Sequence, residues 1–469
     1  MLVFKYPFGK GSVSLRKTSL LLTYKLDLCV KNKNLTYKLV FFYAKTSVIE
    51  IFVVPLLQNR NYIQFIYMKI IERTKYQQQI QQWLGKGLII VLTGQRRVGK
   101  SMCLQWLQQT IQQNLENNLI YIDKEDYQFA AITDADTLNA HIEKYFVANK
   151  HNYILIDEIQ EIADFEQALR SWIKQPTTDV VVTGSNAKML SSDLSTKLAA
   201  RYVEVPIHSL SYTEFLQFHD LADNDDALTL YLTYGGLPYL NVLGLQNILS
   251  IREYLSNVYN TIVLKDIIQR ESIRNVPFLL NLAKFVSDNI GKLFSPNSIM
   301  KYMRSQGEKL SAQMILNYLS FFCSAYIMYR VYRYDIHGKT LLESNEKYYF
   351  EDLGIRNALV HSTDTNDIEK RIENAVFLHL LRCGYLVYVG QLRSKEIDFV
   401  AHKGDKTLYV QVAYLITGEE TEKREFGNLL AIPDNHPKIV ISLNPMNIDS
   451  NYNGIRHLHL REFLKIENI

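Results

Sequence analysis

Ile89-Ile90-Val91-Leu92-Thr93-Gly94-Gln95-Arg96-Arg97-Val98-Gly99-Lys100-Ser101 is the stretch from which the rest of the chain can be read. Its opening apolar run suits a strand buried on both faces, and Met102, Leu104, Leu107 and Ile111 recur beyond it at helical spacing. Between strand and helix lies Gly94-x-x-x-x-Gly99-Lys100-Ser101, the pattern of a phosphate-binding loop. Glycine tolerates positive φ and close backbone approach, so the loop N–H groups can turn inward as an anion nest, reinforced by the helix N-terminus. The pattern assigns Gly94, Gln95, Arg96, Arg97, Val98, Gly99, Lys100, Ser101 and Met102 to contact with ATP. Lys100 is expected on the β- and γ-phosphates, and the Ser101 hydroxyl on Mg²⁺.

A second apolar strand, Tyr153-Ile154-Leu155-Ile156, ends in Asp157-Glu158. At this distance after a phosphate loop the two acids read as the Walker B pair, with Asp157 on Mg²⁺ and Glu158 orienting or activating the attacking water. The alternative is a solvated turn after a core strand. A third strand, Val180-Val181-Val182, runs into Thr183-Gly184-Ser185-Asn186. Any of its polar groups can approach a terminal phosphate or serve as a turn or helix cap. Arg201 precedes the last apolar strand of this region and is a candidate for stabilising transition-state charge, in cis or from a neighbouring subunit. A surface ion pair is the competing role. One of Arg96 and Arg97 is expected to pair with Glu158 or with an acid of another domain; Arg270 and Arg274 are weaker candidates.

Composition sets the frame. A chain of 469 residues, 47% hydrophobic and 21% charged, is long enough for several globular domains. The four cysteines, at 29, 103, 323 and 383, are far apart, which argues against a zinc site or disulfide framework and for a reducing, cytoplasmic setting. The net charge of +4 misleads as a sign of nucleic-acid binding. Residues 1–67 hold ten Lys/Arg against Asp27 and Glu50, and the remaining 402 residues carry −4. The apolar stretch from Leu39 to Leu57 is interrupted by Lys45, Glu50 and Pro55, so no stable membrane insertion is expected. Met68 is a plausible native start: Met68-Lys-Ile-Ile-Glu-Arg opens an amphipathic helix leading to the loop strand, and residues 1–67 would then lack a structural partner.

Residues 68–210 alternate strands with helices, which implies a parallel sheet covered on both faces with its ligand crevice at the strands' carboxyl ends. Residues 211–270 read as helical, broken at Tyr234-Gly235-Gly236-Leu237-Pro238, and are expected to form a lid beside the nucleotide. Residues 271–350 read as three helices and a tyrosine-rich hairpin, the order of a winged helix, and residues 351–469 as a small α/β domain.

Taken together, Gly94-Gln-Arg-Arg-Val-Gly-Lys-Ser, Ile156-Asp-Glu-Ile-Gln, Thr183-Gly-Ser-Asn, Arg201-Tyr-Val-Glu, Tyr234-Gly-Gly-Leu-Pro and Tyr349-Phe-Glu-Asp-Leu-Gly resemble the prokaryotic AAA-type P-loop ATPases that carry a C-terminal domain of uncharacterised function. The resemblance covers about residues 68–469. It implies a parallel-sheet AAA core, a helical lid, a winged-helix middle and a C-terminal domain similar to restriction-endonuclease-like nucleases. It places Thr183, Ser185 and Asn186 where such ATPases carry sensor 1, with Asn186 as the candidate catalytic contact. In the nuclease comparison Glu373, Asp398 and the strand Leu408-Tyr-Val-Gln-Val-Ala follow the expected order, with Glu396 two residues before Asp398. The Glu-x-Lys position, however, reads Gln411-Val412-Ala413, so the second metal-holding acid and the lysine are missing. The expectation is an inactive nuclease-like domain in which nothing nearby replaces the lost charge.

The resulting expectation is an AAA-type ATPase in which Lys100, Glu158, Asn186 and Arg201 are catalytic and Ser101 and Asp157 hold Mg²⁺. It would act as a slow molecular switch on DNA or a protein client, with oligomerisation possible. Lys301, Arg304, Lys309, Arg330 and Arg333 are the candidates for phosphate contacts in the winged helix. The alternatives are a nucleotide-gated scaffold without significant hydrolysis and an ATP-regulated DNA nuclease.

Overall fold

A computed structural model describes residues 72–187, 198, 201–305, 311–360, 367–444 and 450–469, with four short strands nearer the N-terminus. The chain divides into two units, Met1–Ile70 and Ile71–Ile469. In the first, β1 (Leu15–Arg16), β2 (Lys25–Leu26), β3 (Tyr37–Phe41) and β4 (Ile51–Pro55) form an antiparallel sheet in that order, with Tyr37 opposite Pro55 and Phe41 opposite Ile51. The sequence analysis assigned no element there. Met68 and the three residues after it lie outside the described residues. From Glu72 onward the helix runs over Thr74–Trp83 with Arg73 as its N-cap.

The second unit opens on a parallel sheet of β5 (Ile89–Thr93), β6 (Asn117–Asp123), β7 (His151–Asp157), β8 (Thr178–Gly184) and β9 (Tyr202–Pro206), in the order β6-β7-β8-β5-β9. All four pairings are parallel. Every residue of β5 and β8 is buried, as expected of central strands covered on both faces. Leu104, Leu107 and Ile111 of the helix Lys100–Gln112 pack on one side, and Leu138, Ile142 and Leu169 of the helices Ala135–Tyr145 and Phe165–Trp172 on the other. Because all five strands point the same way, the loops after β5, β7 and β8 emerge at one edge.

Helices follow from Tyr212 to Thr261, and the last of them continues into eight residues of π-helix, Ile262–Gln269. The break expected at 234–238 is present: the helix Asp225–Tyr234 stops at Gly235, which has φ 74°. A Cβ there would lie 2.4 Å from Asp352 Oδ1, so glycine is required by both conformation and contact.

Three further helices, Val276–Asp288, Pro296–Ser305 and Ala312–Ser324, precede a hairpin of β10 (Met328–Asp335) and β11 (Thr340–Phe350). From sequence this hairpin is expected wholly within the middle segment. It is also the edge of an eight-stranded sheet, ordered β11-β10-β12-β13-β14-β15-β17-β16, because β10 pairs in parallel with β12 (Leu386–Leu392). The remaining strands are β13 (Lys395–Lys403), β14 (Lys406–Val412), β15 (Lys438–Ser442), β16 (Ser450–Tyr452) and β17 (Ile455–His459). The helix Ile368–Arg382 covers this sheet, burying Ile372, Val376, Phe377 and Leu380. A boundary at residue 350 therefore cuts a strand from its own sheet. Among the described residues no helix is long and apolar enough to cross a membrane.

Candidate functional site

The loop after β5 takes its shape from backbone necessity. Gly94 has φ 136°, and a Cβ on it would stand 2.2 Å from the Ile207 carbonyl oxygen. Gly99 has φ 103° and begins the helix Lys100–Gln112. Arg97 has φ 69° despite its side chain, a conformation that costs energy outside glycine and clusters at functional sites. Val98 is fully buried and anchors the loop. Its carbonyl accepts from Arg73 Nη1 at 3.0 Å, and Arg73 also donates to His208 O and pairs bidentately with Glu214 at 2.7 and 2.9 Å. Arg73 thus braces the loop from behind.

Lys100 is buried and donates to the Gly94 and Gln95 carbonyls, both at 2.9 Å. Burial lowers its pKa, and Glu158 and Asp157 oppose that shift. Gln95 is buried with neither side-chain polar atom partnered. The loop is therefore a concentration of donors with few anions to receive them.

The β8 end lies between the ends of β5 and β7, and its hydroxyls organise the two acids. Thr183 Oγ1 donates to Asp157 Oδ1 and receives the Glu158 backbone N–H at 2.9 Å. Burial pushes the Asp157 carboxyl up to about 6, against the Thr183 and Ser101 hydroxyls that face it. Glu158 is buried in a left-handed conformation, φ 54°. Its Oε2 accepts from Gln160 Nε2 and from Ser185 Oγ at 3.3 Å. Ser101, Asp157 and Thr183 make a set of hard oxygen donors of the kind Mg²⁺ takes. Among the described residues no group of three or more His, Cys, Asp or Glu could hold a metal ion. Mg²⁺ needs only one or two carboxylates when phosphate oxygens complete its shell.

Arg96 leaves the loop toward the π-helix, where Nε and Nη2 meet Asp266 at 2.6 and 2.9 Å. The partner is thus an acid of the helical segment rather than Glu158. The pair borders a cleft of about 770 Å³ lined also by Lys124, Glu158, Gln160 and Arg270.

The other candidates separate. Asn186 is buried just beyond β8, two residues past the Gly184 that closes the strand. Arg201 is exposed, and Tyr202 next to it pairs with Ile89, at the start of β5. It stands at the amino edge of the parallel sheet, about 16 Å along the strand from the loop. At that distance the arginine side chain cannot reach the loop of its own chain, which leaves a surface ion pair or a contact across a subunit boundary. Arg274 is exposed, whereas Arg270 lies 4.0 Å from Asp266.

In the C-terminal sheet the three acids of the nuclease comparison converge on a residue the sequence analysis missed. Lys347, on β11 and 2% exposed, places Nζ 2.9 Å from Glu373, 2.8 Å from Glu396 and 3.9 Å from Asp398. Tyr349 adds a hydroxyl to Glu373 at 2.6 Å, and Val412 N–H donates to Asp398 at 2.8 Å. The expectation that nothing replaces the lost positive charge is thus wrong: an ammonium arrives from a strand earlier in the chain. Gln411 only reaches Asp398 N–H, at 3.5 Å.

Comparison with known proteins gives the family. Residues 86–216 match the AAA domain, and residues 225–366 match a domain of unknown function. An uncharacterized protein of Haemophilus influenzae is 37% identical over 380 residues, 80% of this chain and 93% of that protein. The chain belongs to its family. A second relative, an uncharacterized protein of Methanocaldococcus jannaschii, is 28% identical over 72% of this chain and 77% of its own. Among solved structures, a Walker-type ATPase of Pyrococcus abyssi matches at TM-score 0.45 and 14% identity, over 61% of this chain and 95% of that one. Cdc6p from Pyrobaculum aerophilum matches at 0.28 and 12%, over 63% and 96%. In this family member the AAA match spans the loop, both acids and Arg201, whereas Asp266 and Lys347 lie in the 225–366 segment.

Proposed function

We propose that this protein is an AAA-type ATPase that binds Mg-ATP at the 94–102 loop and uses slow hydrolysis to switch the arrangement of the segments after residue 210. One observation carries the reading. A buried ammonium, Lys100, is satisfied only by carbonyls of its own loop, one strand away from a carboxylate pair ordered by Thr183. A polyphosphate can take over such an ammonium at little cost, because the bonds it replaces are neutral. When bound, Mg²⁺ neutralises charge that develops on the transferring phosphoryl group. Ser101 and Asp157 are the residues to hold it. Glu158 is the residue to orient water, but its carboxylate is occupied by Gln160 and Ser185. That favours low turnover and keeps the scaffold reading in play. Asn186 is proposed as a secondary contact near the terminal phosphate, and Arg201 as a contributor in trans. The segments 271–350 and 351–469 are proposed as winged-helix and nuclease-like modules that meet DNA or a protein client, the second without nuclease chemistry because its Glu-x-Lys position reads Gln411-Val412-Ala413 and Lys347 pairs with its remaining acids.

Phosphate release in the presence of Mg²⁺ tests the reading. Glu158→Gln should retain ATP binding and lose turnover by about a hundredfold or more. Zero turnover in the wild type, with ATP bound, replaces the switch by the scaffold. DNA cleavage with Mg²⁺ or Mn²⁺ that Asp398→Ala abolishes would instead restore the nuclease.

A further inference from the structure

The Arg96–Asp266 pair has a property that a structural ion pair does not need: it sits inside the field of the phosphate loop. Arg96 is the second residue after Gly94, and its side chain is 12% exposed; Asp266 is 1% exposed. Around them stand Arg270 at 4.0 Å from Asp266, Glu125 at 3.8 Å from Arg96 and 61% exposed, and Lys124, Glu158 and Lys265 along the same cleft. Burial works against the Arg96 charge, and the bidentate carboxylate more than offsets it. The Asp266 charge also acts on Lys100, as do those of Glu158 and Asp157. Asp266 is therefore a carboxylate held among the cations that a triphosphate would use.

The segment carrying it is unusual. Ile262–Gln269 is π-helical over its whole length, and π-turns are rare, appear mostly as single-turn bulges and concentrate at functional sites. Ile262, Val263, Asp266 and Ile267 are all buried, so the segment is held both by apolar packing on the core and by the Asp266 contact with the loop. Loss of the Arg96 contact removes one of the two restraints on this register.

We propose that Asp266 is a triphosphate-sensing latch: it holds Arg96 while the loop carries no nucleotide and yields Arg96 to the terminal phosphate of ATP, releasing the 262–269 segment. The inference rests on the Mg-ATP reading and deepens it. The physical ground is competition. The terminal phosphate of ATP brings charge next to Lys100, repels the Asp266 carboxylate, and offers Arg96 the same bidentate geometry that Asp266 now supplies. ADP lacks that group and leaves the latch closed. Asp266 is a positioning residue, because it acts on nucleotide only through Arg96 and Lys100.

The test compares fluorescent ATP and ADP binding, with Mg²⁺, in the full chain. Asp266→Asn should tighten ATP by on the order of tenfold and leave ADP within about twofold. In an Arg96→Ala background the same substitution should lose most of its gain, since no guanidinium is left to free. Hydrogen exchange of the unaltered protein gives a second reading independent of any variant: exchange over 262–269 should rise with a slowly hydrolysed ATP analogue and not with ADP. Equal tightening of ATP and ADP, an undiminished gain without Arg96, or exchange that ATP leaves unchanged overturns the latch. A wild type that binds neither nucleotide overturns the Mg-ATP reading itself, whereas binding of both with unchanged exchange overturns the latch alone.

Discussion

Two buried lysines stand beside acids in this chain, and they are opposites. Lys100 is bonded to two carbonyls of its own loop, while Asp157 and Glu158 stand close enough to act on its charge without a hydrogen bond to it. Lys347 is surrounded by three acidic side chains, with Glu373 and Glu396 within hydrogen-bond distance. Burial depresses the first ammonium and the acids fail to recover it, whereas at the second Glu373, Asp398 and Glu396 together outweigh burial and its pKa rises. The residue types are the same; what differs is whether the cation already has its anion. A lysine held by neutral carbonyls is short of charge and ready for a phosphate. A lysine held by carboxylates already has its anions and offers no unpaired charge to a phosphate. The lesson is that a cluster resembling a metal or nucleotide site must be judged by which of its charges are already paired.

The sharpest way to break this contrast is to remove each lysine. Lys347→Met leaves three acids together without their cation, which costs about 3–5 kcal/mol when a buried pair loses one partner. Glu396, 40% exposed, contributes least to that penalty because solvent screens it. The melting temperature should fall markedly, with nucleotide affinity of the remaining folded protein unchanged. Lys100→Ala should do the reverse. Its ammonium is satisfied only by carbonyls that the loop can reorganise, so the melting temperature without nucleotide should change little. ATP affinity should fall by roughly thirtyfold or more, the cost of truncating one partner of a buried charge-assisted contact. Calorimetry on the two variants decides: if Lys347→Met leaves stability intact, the three acids are not held together by Lys347.

The difference between these regions also explains what could be read from sequence. The β5 loop and the β7 acids are local objects. Their conformation follows from Gly94, Gly99 and an apolar run, and their chemistry from adjacent side chains, so strand, loop and helix were all legible. The parallel sheet followed from the same apolar runs. Lys347 is 26 residues from Glu373, Arg73 141 residues from Glu214, and Arg96 170 residues from Asp266; no spacing rule reaches across such distances. The π-helix was hidden for another reason. Val263 and Ile267, four residues apart, fit an α-helical face as well as a π-helical one. The hairpin was legible as a hairpin, but its parallel contact with β12 was not, because Arg333 and Val389 meet only after a long excursion of the chain. The choice between cis and trans for Arg201 was not legible, because order along the chain does not say which edge of the sheet a residue occupies.

A third prediction opposes two carboxyls, one from each region. Burial and the neighbouring Glu373 charge raise the Asp398 carboxyl far above its usual range, beyond what Lys347 can recover. The sign follows from linkage. A carboxyl whose folded pKa is raised stabilises the fold fully below the unfolded value near 4, and that stability is lost as pH climbs to the folded value. Asp398→Asn keeps the shape of the protonated group and has no proton to lose. Its unfolding free energy should exceed that of the wild type by a margin that widens from pH 5 to pH 8, by up to about 1.4 kcal/mol per pH unit. A margin that narrows over that range contradicts a raised Asp398.

Asp157 is also raised, to about 6, but its task is the reverse. Asp398 is comfortable as a neutral acid inside the sheet, whereas Asp157 must be a carboxylate before it can hold Mg²⁺, since metal binding displaces the proton. Below pH 6 that displacement costs free energy. Between pH 7 and pH 5 the Mg²⁺-dependent part of ATP affinity should therefore weaken by about tenfold, while affinity measured without Mg²⁺ changes less. Thr183→Val sharpens the test. It removes the hydroxyl that donates to Asp157, and with it a bond that favours the ionised form, so the midpoint of the pH dependence should move upward. A midpoint that stays put, or moves down, would mean that the proton governing Mg²⁺ binding sits on another group, with Glu158 the first to examine.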